Sequence, residues 1–167
     1  LLRVAVANGL TGRAESTSVT PDEPTQPEET ADTRFGAAED ALNAGDFNAA
    51  AATYRAVLAD SPGDAEARAG LARVDLSRRV SGVEPAAARA AADRDPTDVD
   101  AQMHLADLDI VAGRVEGAFD RLVGVVRKAG GDDRERVRNR LVELFEIVGA
   151  TDPRVTKARA SLANALF

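Results

Sequence analysis

Apolar residues along this chain recur at three- and four-residue spacing in short blocks, and glycine or proline punctuates almost every block. Around Gly45-Asp46-Phe47 the pattern predicts a turn between two helices, the second of which carries Ala50, Tyr54, Val57 and Leu58 on one face and ends at Pro62. A third such block has Gly113, Val115, Ala118, Leu122 and Val125 in the corresponding places and Gly130 where the first has proline. The block between them departs from this pattern, with Arg79 at the glycine position, a loop over Val80 to Glu84, and a short Ala-rich helix from about Pro85 to Asp93. Beyond Gly130 a longer amphipathic helix is expected from Asp133 to about Val148, with Val137, Leu141, Leu144, Phe145 and Val148 along one stripe and Gly149 as its stop. Asp152 followed by Pro153 is a strong helix start, so a last helix should present Val155, Ala158, Leu162 and Leu166 on one face.

The blocks repeat. Pro62 and Pro96 lie 34 residues apart, and at the same offset Asp64 meets Asp98, Ala67 meets Ala101, Leu71-Ala72 meets Leu105-Ala106, and Asp75 meets Asp109. A period of 34 belongs to a helix-turn-helix unit that buries its apolar face only by stacking on its neighbours. The first block resembles the tetratricopeptide family. That resemblance implies an all-α array of about three helical hairpins, here with a closing C-terminal helix pair, over residues 34–167. In such stacks the first helix of each hairpin lines a concave face, which implies a groove formed by Phe35, Glu39, Leu42, Glu66, Ala69, Arg73, Leu76, Met103, Asp107 and Ile110. Apolar residues interspersed with charges would suit a helix or an extended segment of a partner protein.

The first 33 residues read differently. Leu1 to Leu10 looks like the tail of a helix, too short to fold alone, and the chain opens on Leu rather than Met, as a fragment of something longer would. Residues 13–33 hold Pro21, Pro24 and Pro27 among Ser, Thr, Glu and Asp, a composition that cannot bury enough apolar surface to order itself and is expected to be an acidic linker.

Composition narrows the function class. Aromatic residues make up only 4% of the 167 residues, which favours helices packed through small side chains. A formal net charge of −7 opposes nonspecific nucleic-acid and anionic-membrane binding. The basic run from Arg127 to Arg140 is broken by Asp132, Asp133 and Glu135 and reads as a solvated face. Without cysteine there is no thiol chemistry, and a reducing, cytoplasmic setting fits. His104 is the sole histidine, so no multi-histidine metal site is available. Asp75 and Asp109 could meet across repeats, but carboxylates that cap helices or pair with arginine explain them better. With no phosphate-loop, dinucleotide or zinc-protease motif, we expect neither enzyme activity nor a cofactor.

The C-terminal segment carries a narrower resemblance. Arg140-Leu141-Val142-Glu143-Leu144-Phe145-Glu146-Ile147-Val148-Gly149, then Asp152-Pro153-Arg154-Val155, then Arg159 to Phe167 resemble the ending of YbbN-type co-chaperones, or chaperedoxins. These join a thioredoxin-fold domain to a tetratricopeptide-like domain. The resemblance implies that residues 1–12 are the remnant of the last helix of an upstream thioredoxin-like domain, where any redox cysteines would lie. It also implies that the repeat domain binds unfolding client proteins and passes them to the chaperonin. The implied chaperonin contact is the last helix, with Arg154, Lys157, Arg159, Leu162, Leu166 and Phe167. The alternative is a scaffold that holds one defined peptide or protein in its concave groove.

Overall fold

The computed structural model describes residues 34–167, and the expected helix remnant (1–12) and acidic linker (13–33) lie outside them. Among the described residues the chain forms eight α-helices and no strand: α1 (Gly36–Asn43), α2 (Phe47–Asp60), α3 (Ala65–Val80), α4 (Pro85–Arg94), α5 (Val99–Val111), α6 (Val115–Lys128), α7 (Gly131–Val148) and α8 (Pro153–Leu166). This is the expected all-α array of hairpins with a final helix pair.

The 34-residue repeat is visible in the helix starts. Asp64 and Asp98 each cap a helix by accepting the backbone N–H three residues on, from Ala67 at 2.8 Å and Ala101 at 3.0 Å. Each such cap contributes about 1 kcal/mol. Gly45 and Gly113 take positive φ of 77° and 76°, a conformation open to glycine without penalty. The middle unit keeps the period by a different division. Helix α3 continues through Arg79 to Val80, the positive-φ glycine comes at Gly82, and α4 shortens to 10 residues against 14 in α2 and α6. The departure at Arg79 is thus an extra helical turn, which carries that side chain toward α5.

Two apolar clusters share α3. Phe35, Ala38, Ala50, Ala51 and Tyr54 pack with Ala67 and Val74 at the N-terminal end, where Gly70 lies directly under the Tyr54 ring. Leu76 of α3 joins Met103, Ala106 and Ile110 of α5 to a larger cluster that includes Phe119, Leu122, Val137, Leu141, Phe145, Val155 and Leu162 from α6, α7 and α8. Helix α4 packs on α5 through Ala92 rather than back on α3, so the second hairpin is open.

The result is a central α5. Nine of its 13 residues are buried, leaving only a narrow exposed stripe through Asp100, His104 and Val111, because α3, α4, α6 and α7 all pack against it. A helix packed on most of its circumference keeps only that stripe for solvent. Helix α7 meets α3 as well as α5 and α6, closing the curve of the array over α5.

Candidate protein-binding surfaces

The expected concave groove is divided by this closure. Phe35, Leu76, Met103, Asp107 and Ile110 are buried within the chain's own core rather than presented to a partner. Phe35 stacks on Tyr54 with ring centroids 4.9 Å apart, and the other four lie where α7 or α3 covers α5. Glu39 and Arg73 are exposed, and Leu42, Glu66 and Ala69 are half-buried, on α1 and α3. Glu39, Glu66 and Arg73 surround the Tyr54 phenol, whose pKa is raised by burial and partly lowered again by Arg73. Arg34 lies over the Phe35 ring and pairs with Asp64 and Glu66 at 2.8 and 2.9 Å, which occupies Glu66.

What seals the groove is ionic as well as apolar. The fully buried Asp107 accepts from Arg79 Nε at 2.9 Å on α3 and from Arg140 Nη1 at 2.5 Å on α7, while Arg79 Nη1 reaches Glu143 at 3.1 Å. Three helices are thereby tied at one carboxylate. Burial pulls the Arg140 guanidinium below its ordinary pKa, Asp107 opposes that shift, and Arg79 adds to it. A second buried carboxylate, Asp109, takes Arg114 at 2.7 Å, with Arg89 and Arg121 at 3.6 and 3.7 Å. Gln102 completes this second group by donating to Ala92 O of α4 and accepting from Arg121, both at 2.8 Å. Asp75 pairs with Arg78 instead, so the two carboxylates one repeat apart serve different arginines. His104 is exposed on α5, and no cluster of three metal-ligating side chains occurs among the described residues. No described helix is long and apolar enough to cross a membrane.

The last helix carries the expected docking set, and the structure divides it by position. Near the start of α8, Arg154 pairs with Asp152 at 2.7 Å and Lys157 reaches Glu116 at 3.4 Å. Val155, Ala158 and Leu162 are buried, holding α8 to the core. Toward its end α8 parts from α7 and leaves an apolar cleft of about 390 Å³ lined by Val142, Phe145, Arg159, Leu162, Ala163, Leu166 and Phe167. Val142 is 44% exposed and Phe167 fully so. Four of the expected docking residues therefore share one concavity, while Arg154 and Lys157 do not. Val142, Phe145 and Ala163 complete the cleft; an apolar valine beyond the buried stripe of α7 was the signal for the first of them. A larger recess of about 550 Å³ lies between α5 and α6, with Val99, Gln102, Gly117, Arg121 and Gly124 in its wall and two acidic and two basic side chains in balance.

Asp152 also makes α8 sensitive to acid. A hydrogen bond from the Arg154 side chain, then one from the Arg154 backbone, lowers its pKa from 3.8 to about 2. Because the folded value lies below the unfolded one, its stabilisation is present above the unfolded pKa and is lost as pH falls through about 2. Asp152→Ala should therefore melt below the parent chain at pH 6, and the two thermal transitions should converge as the pH approaches 2. An unchanged gap would remove the ionised cap from the account.

Residues 78–167 match a family model described as tetratricopeptide repeat, and residues 41–78 match a second model of that description. The junction falls within α3, the helix shared by both apolar clusters. The uncharacterized proteins Rv1324 of Mycobacterium tuberculosis and Mb1359 of Mycobacterium bovis are each 37% identical to this chain over 163 residues, covering 98% of it and 50% of the relative. The chain thus spans about half the length of the curated relatives it matches. No solved structure matches it.

Proposed function

Since this chain belongs to the tetratricopeptide repeat family, we propose that it is a protein–protein interaction module that receives its partner at the cleft between α7 and α8. The observation that carries this reading is the division of the groove: the central concave residues are covered by the chain itself, while Val142 and Phe167 leave apolar surface exposed beside a concavity. Apolar concavities with a polar rim are the places where helices and extended segments of other proteins dock.

The finer reading is a co-chaperone of the chaperedoxin kind, acting in the cytoplasm. In it, clients rest on the accessible part of the groove, Glu39, Leu42, Glu66, Ala69 and Arg73, and α8 contacts the chaperonin. The resemblance of the last thirty residues supports it, as does the room for another domain in relatives of twice this length. Deleting α8 would strip Val155, Ala158 and Leu162 from the core, so surface substitutions test the reading more cleanly. The chain should suppress light scattering by a thermally aggregating client enzyme at several-fold excess and should co-sediment with purified chaperonin. Val142→Asp should abolish the co-sedimentation while leaving the helical circular-dichroism signal intact. Absence of suppression would remove the holding activity, and unchanged co-sedimentation would remove the docking assignment.

A second reading, a scaffold for one defined partner, is favoured by the small size of the cleft, which suits a single segment. Capture of one stoichiometric partner, in place of chaperonin and many clients, would select it.

A further inference from the structure

The cleft also specifies the chemistry of its occupant. Three cations lie along α8, and two of them are satisfied within the chain, Arg154 by Asp152 and Lys157 by Glu116. Arg159 is the exception. No carboxylate among the described residues pairs with it, and its guanidinium instead lies 5.5 Å from the centroid of the Phe145 ring, at the rim of the cleft. The floor beneath it is Val142, Phe145, Leu162 and Leu166.

A cation held on an aromatic face over an apolar floor leaves its hydrogen-bonding edges available for a carboxylate. The cleft lies between two helices, and its volume of about 390 Å³ admits the apolar side chains of one helical face rather than a whole domain. We infer that the cleft binds a short amphipathic helix of a partner protein, with apolar side chains seated on Val142, Phe145 and Leu166 and an acidic residue paired with Arg159. This rests on the partner-binding reading above and adds the sign of the charge and the form of the segment. Charge complementarity of this kind decides between partners more than it adds to raw affinity.

The test uses the 167-residue chain and two labelled peptides of about four helical turns, each with leucine along one face, one flanked by glutamate and its twin by lysine. By fluorescence anisotropy the glutamate peptide should bind at least about tenfold more tightly than the lysine twin, and the difference should shrink as salt rises. Arg159→Glu should reverse the preference, and Val142→Asp should weaken the glutamate peptide by about tenfold or more, both without loss of helicity. Equal binding of the two peptides, binding to neither, or a preference untouched by Arg159→Glu would overturn the proposal. If client holding and chaperonin co-sedimentation persist while the peptide preference is absent, only this inference fails and the interaction module stands.

Discussion

Replacing Asp107 by alanine should destabilise the chain by about 3–5 kcal/mol, the usual cost of removing one partner from a buried ion pair. Asp107 is fully buried and is the carboxylate between Arg79 of α3 and Arg140 of α7, whose side chains are themselves largely buried. Without it two guanidinium groups face each other in a poorly solvated space, and among the described residues the anion left to them is Glu143, which is 44% exposed. The damage should concentrate where α7 meets α3 and α5. Urea denaturation followed by circular dichroism would show a lower midpoint. A chain with Asp107→Ala, Arg79→Met and Arg140→Leu together should recover most of the loss, because an apolar trio needs no counter-charge. If Asp107→Ala alone left the midpoint unchanged, the three-helix tie would carry no stability.

Gly70→Ala should cost about 3 kcal/mol, the upper end of overpacking penalties, although alanine is the better helix former at an open position. A Cβ on Gly70 would lie 2.2 Å from Tyr54 Cε1, 2.4 Å from Cζ and 2.7 Å from Cδ1. These are inner atoms of a ring that is 1% exposed and held by Phe35, so the ring cannot swing aside. Either α3 or the whole Tyr54 side chain must shift, opening the contact between α2 and α3. A double-mutant cycle with Tyr54→Leu would isolate the clash: the two changes should be strongly non-additive, since the smaller side chain relieves the crowding. Additive losses would mean that Gly70 matters for some reason other than Tyr54.

Both of these positions show what the sequence discloses and what it withholds. The hairpins were legible because their signals are local: aspartate three residues before the first buried alanine, glycine at the turn, proline after the helix. Asp64 and Asp98, Gly45 and Gly113, and the Asp152-Pro153 start of α8 act as their residue types require. Arg79 was misleading as a missing glycine, because an insertion of one turn in α3 is compensated by a shorter α4 and leaves the period intact.

Closure over α5 was harder to foresee, since it depends on how far the array curves. A face expected to be concave, and either free or covered by the segment before residue 34, holds Met103, Asp107 and Ile110, and the covering helix instead comes from 24 residues beyond Asp107 in the chain at its nearest. The segment from Val99 to Val111 did carry a warning: its apolar residues are spread widely around a helix, with Gln102, Asp107 and Asp109 among them, a pattern that the assignment of Met103, Asp107 and Ile110 to the concave face passed over. The cleft at the end of α8 was half legible. Leu162, Leu166 and Phe167 were expected at a contact surface, but the separation of α7 from α8 that makes the concavity follows from α8 packing chiefly on α6.

The closed arrangement requires that α5 be enclosed, and the absence of cysteine from the sequence makes that directly measurable. Single substitutions His104→Cys, Met103→Cys and Ala106→Cys place one thiol each on the exposed side of α5 and on the side covered by its neighbours. Enclosure predicts that the thiol at position 104 reacts promptly with a disulfide reagent, while those at 103 and 106 react at least about a hundredfold more slowly, in step with global opening. Equal, rapid modification at all three positions would show an open concave face and contradict the closed arrangement.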